Sequence, residues 1–154
     1  MAVYCDTNFF VRLLIDADES TADFRKLQSA GGPGSRPIPI TWLLQLEVAN
    51  ALPQVAFFSK QGGRSRFSPQ QADIALACFD DWLADGVHFS PAPIASTELV
   101  KEARRLSLRH TSRHGFRAYD VVHVASALLL KCDAFWSFDA RASRLAKLEG
   151  LAIL

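Results

Sequence analysis

Cysteine is scarce: Cys5, Cys78 and Cys132 are the three in a chain of 154 residues, and none sits in a CxxC or Cys/His spacing. An odd number without that spacing supplies neither a disulfide framework nor a zinc site. The thiols therefore read as reduced and structural, as in a cytoplasmic protein. An excess of either charge is also missing, since 17 Lys and Arg against 16 Asp and Glu leave a formal charge of +1. A protein that coats nucleic acid would be strongly basic, so any such binding has to come from a local patch. Long hydrophobic runs are absent as well. The longest, Val121 to Leu130, is interrupted by His123 and Ser126 and falls far short of the roughly 20 residues that cross a bilayer. Asp6 arrives before any hydrophobic segment develops, so neither a signal peptide nor a membrane anchor is expected. Internal repeats, low-complexity tails and second-domain boundaries are likewise missing. What remains, 49% apolar and 21% charged residues, is ordinary globular composition, and one domain over residues 1–154 is expected.

Short β-rich runs alternate with longer stretches of helical period, the pattern of an α/β fold in which helices cover a parallel sheet. Strands are expected at Ala2 to Cys5, Ile38 to Ile40, Val87 to Phe89, Ala134 to Phe138 and Leu151 to Leu154. Phe9, Phe10, Leu13 and Leu14 form the apolar face of a first helix, and Leu43, Leu44, Leu46, Val48, Ala51 and Leu52 that of a later one. Pro53 is expected to kink or end that later helix, because it removes a backbone donor and clashes with the preceding turn. Gly31-Gly32-Pro33-Gly34-Ser35 and Gly62-Gly63 signal loops. Ser68-Pro69 reads as an N-cap and first helical residue of a helix running to about Ala84 and ending near Gly86.

Four acids stand out against this frame. In an open parallel sheet, ligands bind beyond the carboxyl ends of the strands, and Asp6 and Asp139 each directly follow a strand candidate. Each also has a second reading as a helix N-cap. Glu47 is the one charge between Thr41 and Leu52, and Asp120 sits in the apolar run Ala118 to Ala125. A carboxylate in such surroundings risks desolvation and calls for compensation. Four carboxylates in one pocket also repel: two unit charges about 5 Å apart at an effective dielectric near 20 cost about 3 kcal/mol. Divalent cations are the natural answer, and carboxylate oxygens suit Mg²⁺ or Mn²⁺ better than zinc or copper. Such a site would bind a phosphate and activate a water.

The segments carrying these acids resemble the PIN-domain family, and more narrowly the toxin ribonucleases of VapBC toxin-antitoxin pairs, over essentially the whole chain. The matching pieces are Tyr4-Cys5-Asp6-Thr7-Asn8, Glu47-Val48-Ala49-Asn50-Ala51-Leu52, Tyr119 to Leu128, and Phe138-Asp139-Ala140-Arg141 with Leu145-Ala146 and Gly150-Leu151 behind it. Each is weak alone; their order and spacing are specific. The resemblance implies a three-layer α/β/α fold around a five-stranded, mostly parallel sheet, and metal-dependent endonucleolytic cleavage of RNA. It carries the metal-binding acids onto Asp6, Glu47, Asp120 and Asp139, and small hydroxyl positions beside the site onto Thr7 and Ser137. With a toxin reading goes a separate antitoxin protein that inserts near the acidic pocket, and a homodimer is also expected.

The cationic stretch Arg104 to Arg117 leads directly to Asp120, and Arg109, Arg113 and Arg117 are candidates for gripping RNA phosphates. An equally good reading is a solvated helix face with a basic end favoured by the helix dipole. His123, about one turn after Asp120, reads as a packed side chain. Trp42, Phe57, Phe58, Phe67, Phe79 and Trp82 outnumber what a small core needs, and a cluster of them would serve a homodimer face or a peptide groove. Two other functions compete. A strand-Asp-helix junction also serves phosphoaspartyl Mg²⁺-dependent phosphohydrolases, but Asn8 stands where that pattern wants a second Asp. A catalytically silent RNA- or protein-binding module would have no reason to retain four mutually repelling acids.

Overall fold

The computed structural model describes residues 1–15, 22, 25, 36–62 and 67–154; the expected loop at Gly31 to Ser35 lies outside them. Strand β1 (Val3–Cys5) leads into helix α1 (Thr7–Ile15), and β2 (Ile38–Ile40) into α2 (Trp42–Lys60). Then follow α3 (Pro69–Asp85), β3 (Phe89–Pro91), α4 (Ser96–Leu106), α5 (Ala118–Leu129), β4 (Ala134–Trp136), α6 (Ala140–Leu148) and β5 (Ala152–Ile153). A π-helical turn, Ser107–Thr111, and one further α turn, Ser112–His114, extend α4.

All strand pairs are parallel, in a ladder β1-β4-β5 and a second ladder β2-β3. The period of two along β1 and β4 sorts the core into two sides. Val3, Cys5, Ala134 and Trp136 pack with α1, α2 and α3, while Tyr4 and Phe135 pack with α4, α5 and α6. Helices thus cover both faces, giving three layers.

The five expected strands are all present, and the single sheet is met in part. β2 lies alongside β1 but shares no ladder with it. Ile38 N–H donates to His88 and the Ile40 carbonyl accepts from Ala92, so both isoleucines turn their backbone groups toward β3. Alternation aims the intervening Pro39 toward β1, and proline has no N–H to give. Other boundaries shift for local reasons. Gly86 ends α3 in the left-handed conformation, and Val87 N–H donates to Asp85 Oδ1 at 2.8 Å, so β3 starts at Phe89 rather than Val87. β4 stops at Trp136 because the Ser137 hydroxyl accepts from Asp139 N–H at 2.8 Å, which turns the chain.

Caps explain the helix starts. Thr41 Oγ1 accepts from Leu44 N–H at the head of α2, and Ser68 with Gln71 forms a capping box at α3. Pro53 does not end α2, which runs on to Lys60. Ala49 and Pro53 are both exposed, so the carbonyl that loses its partner faces water. On the expected apolar face of α2, Leu43, Leu44, Val48 and Leu52 are buried, whereas Leu46 points to solvent. Of the aromatics, Phe67 and Phe79 are core, Trp82 is half-buried, and Trp42, Phe57 and Phe58 are exposed.

Leu145 on α6 is fully enclosed among Tyr4, Phe135 and Val124 of one core side. Leu145→Ala is expected to lower stability by about 2–5 kcal/mol. At this chain length that is roughly 2–4 °C of Tm per kcal/mol. Leu108→Ala, at an exposed position, stays within about 0.5 kcal/mol. Thermal melts followed by circular dichroism check both, and equal Tm values for the two variants would contradict the docking of α6.

Candidate active site

The parallel register fixes the first half of the site. Cys5 stands opposite Trp136, so the residues that follow, Asp6 and Ser137, leave adjacent strands at the same sheet edge. The Ser137 hydroxyl donates to Asp6 Oδ2 at 2.5 Å. Asp6 Oδ1 accepts from Phe9 N–H at 3.2 Å, so the acid also caps α1. Asp139 follows in the same turn, and its Oδ1 accepts from Arg141 N–H at 2.7 Å at the head of α6. The cap and site readings of these acids therefore coexist.

Helices bring the second half. Glu47, early in α2, receives the Thr7 hydroxyl at 2.6 Å and His123 Nε2 at 2.7 Å on the same Oε2. A carboxylate only accepts, so Nε2 carries the proton. The other ring nitrogen, Nδ1, meets the buried Tyr4 hydroxyl at 3.0 Å. Burial pushes the Tyr4 phenol well above its ordinary range, which keeps it protonated. Asp120, one turn before His123 on α5, is buried, and its Oδ2 accepts from Arg117 N–H at 3.0 Å.

Asp6, Glu47, Asp120 and Asp139 all line one open pocket of about 330 Å³, with Thr7, Asn8, Asn50, Gln54, Arg117, Tyr119 and His123 among its other walls. Ser137 stands behind Asp6. Arg117 is the member of the cationic stretch that reaches this pocket. Arg105 and His110 instead converge on Glu149 at 2.7 and 2.5 Å, with Arg109 at 3.5 Å; Arg113 is exposed on the turn before Gly115. The sequence reading set His123 aside, yet it is the compensation that Glu47 required. Two lone polar residues, each in an apolar helical run, were the signal that they belong to each other. Asn50 and Gln54 were legible as well, because they follow Glu47 at helical spacing on one face.

The electrostatics separate two of the acids. Burial pushes the Asp6 carboxyl up, with Asp139 adding to it, against the lowering effect of the Ser137 hydroxyl, His123 and Phe9 N–H. Burial acts on Glu47 in the same direction, but the hydrogen bond and charge of His123 and the Thr7 hydroxyl outweigh it, and its carboxyl is held down. Glu47 Oε1, Asp120 Oδ1 and Asp139 Oδ2 accept no protein hydrogen bond among the described residues. The residues lining the pocket thus offer hard oxygen donors that no protein group occupies, the donor chemistry that suits a divalent cation of the Mg²⁺ or Mn²⁺ type. Among the described residues no three Asp, Glu, His or Cys side chains stand close enough together to hold a metal ion as they are placed; the acids share the lining of an open pocket.

Comparison with known proteins identifies the family and the fold. A family profile described as PIN domain matches residues 3–148. The chain belongs to the PIN-domain family. Among solved structures, this PIN-domain chain is similar to one from VapBC2 of Rickettsia felis bound to a DNA fragment from their promoter, with a TM-score of 0.65, 12% identity, and 100% and 98% of the two chains covered. It is also similar to one from VapBC-1 of nontypeable Haemophilus influenzae, with a TM-score of 0.62, 12% identity and coverage of 100% and 97%. A third, FitAcB from Neisseria gonorrhoeae, gives a TM-score of 0.54 at 13% identity, covering 99% and 96%. No curated protein sequence matches. At such identities the likeness establishes the PIN fold, and no helix among the described residues is long and apolar enough to cross a membrane.

Because the folded carboxyl of Asp6 lies above its ordinary value of 3.8, its ionised form weakens the fold at neutral pH. That penalty disappears as pH falls below the ordinary value, where both states are protonated. Metal-free Asp6→Asn is accordingly expected to melt a few degrees above the parent at pH 7, the gap closing toward pH 4. Melts in chelator across that range test this, and an Asp6→Asn protein that melts lower at pH 7 refutes it. Glu47 works in the opposite sense: its contribution is present above 4.5 and is lost as pH falls through its depressed folded value.

Proposed function

We propose that this chain is a divalent-metal-dependent endoribonuclease, the toxin member of a cytoplasmic toxin-antitoxin pair, formed by a single domain over residues 1–154. The observation that carries this reading is the arrival of four acids from four separate segments at one pocket, each held by the protein and three with a carboxylate oxygen to spare. PIN domains are generally nucleases, and the similar structures include VapBC assemblies.

Asp6, Glu47, Asp120 and Asp139 would hold Mg²⁺ or Mn²⁺. When bound, the cation supplies Lewis acidity toward the scissile phosphate and lowers the pKa of water. The chain's own residues do the rest. Ser137 and the Phe9 amide orient Asp6, Thr7 and His123 orient Glu47, and the amides of Arg117 and Arg141 orient Asp120 and Asp139. The Arg117 guanidinium offsets the repulsion that an acidic pocket presents to an RNA backbone. The partners are an RNA substrate, a cognate antitoxin and a second copy of the chain. For the last two, the groove of about 570 Å³ lined by Trp42, Leu99, Val100, Leu108, Val121 and Val122 offers apolar surface.

Purified protein with Mn²⁺ is expected to cleave RNA endonucleolytically, and Asp120→Asn to lower the rate at least about a hundredfold, since it removes one anionic ligand. Gel assays of RNA fragments measure this. Calorimetric titration with Mn²⁺ gives an independent reading: the binding heat should vanish in Glu47→Gln and Asp120→Asn. Equal heats in parent and variants would instead favour a silent binding module.

A further inference from the structure

Several groups on the pocket wall take no part in holding the acids. Asn50 and Gln54 follow Glu47 at about one and two helical turns and line the pocket with it. Both amides are exposed, and neither is hydrogen-bonded to another group among the described residues. Tyr119, just ahead of Asp120, keeps 60% of its surface exposed while lining the same pocket, and it packs against no other ring among the described residues. The exposed Arg117 completes the set; its guanidinium has no acidic partner among the described residues. The contrast with the acids is the informative point. Every acid is engaged from behind by a protein donor, whereas the amides, the phenol ring and the guanidinium are all unengaged and share one concavity.

Their chemistries are complementary to a nucleotide. A side-chain amide presents a donor and an acceptor side by side, which matches the edge of a base. An exposed aromatic ring is a stacking surface for a base of any identity, and a guanidinium matches a phosphate in charge and shape. A base inside a duplex has its faces stacked and its pairing edge occupied; an unpaired one offers both.

We propose that Asn50, Gln54 and Tyr119, with Arg117 on an adjoining phosphate, form a subsite for one unpaired nucleobase beside the scissile phosphate. The base held there is then the one that the site reads. Tyr119 supplies affinity, and Asn50 and Gln54 supply the preference. This rests on the ribonuclease reading above and specifies its substrate.

Binding and cutting test it separately. Fluorescence anisotropy of a labelled single-stranded RNA and of its duplex, measured in an Asp120→Asn background so that the probe stays intact, should show the single strand bound more tightly. Adding Tyr119→Ala should weaken single-strand binding about tenfold, and Tyr119→Phe should restore it. In the Asp120-containing protein with Mn²⁺, sequencing of RNA ends should show that Asn50→Ala with Gln54→Ala changes the base found beside the cut. If affinities and cut-site sequences are those of the parent in all these variants, or if the duplex binds as well as the single strand, the subsite is refuted while RNA cleavage by the parent leaves the ribonuclease reading standing. If the parent itself cuts no RNA with Mn²⁺, the ribonuclease reading fails and takes the subsite with it.

Discussion

The dominant constraint in this molecule is the burial of carboxylates at one end of the parallel sheet, which is the largest influence on both Asp6 and Glu47, with repulsion from Asp139 a smaller addition at Asp6. The fold answers it with donors. Ser137 serves Asp6, Thr7 and His123 serve Glu47, and backbone amides at helix starts serve Asp120 and Asp139. Each donor comes from an element whose position is set by something else: the Cys5 to Trp136 register, the packing of α5 against Tyr4 and Phe135, or the head of α6. The arrangement is therefore a property of the whole parallel architecture and not of a loop that happens to be acidic.

Much of this was written in the sequence. Asp6 and Asp139 announced themselves by following short β-branched and aromatic runs, which is where a parallel sheet presents ligands. Glu47 and Asp120 were conspicuous as isolated charges in apolar helices. The hydroxyls of Thr7 and Ser137, marked by the family resemblance, both donate to site acids. Less legible were features that depend on how distant elements meet. That His123 would meet Glu47 depends on α2 and α5 reaching the same end of the sheet from its two faces, which no local period encodes. The cationic stretch looked continuous in one dimension, but the π-helical turn changes the phase of the helix, and Arg105, Arg109 and His110 gather around Glu149 at the end of α6. That cluster clasps two helices together, and Arg117, beyond Gly115, is released to the pocket.

Burial of Asp6 illustrates the tension between holding a site and holding a fold. The carboxyl is placed where its ionised form is least comfortable, and the same placement leaves it most responsive to a cation. A ligand that binds only the folded state adds to stability through mass action, so an ion that relieves Asp6 would strengthen the fold as well as equip it for chemistry. Preorganised acids behave this way because the unfavourable electrostatics are set up during folding, before any ligand arrives.

The break between the two ladders has a mechanical consequence. The pocket straddles it: Asp6, Asp120 and Asp139 belong with the β1-β4-β5 side, while Glu47 sits on the helix that follows β2. The bonds from Thr7 and His123 to Glu47 are thus stitches across a seam where no main-chain hydrogen bond is found among the described residues. Anything that tugs on Glu47 pulls on the junction between the two half-sheets, so the state of the pocket and the stiffness of the molecule's middle are tied together.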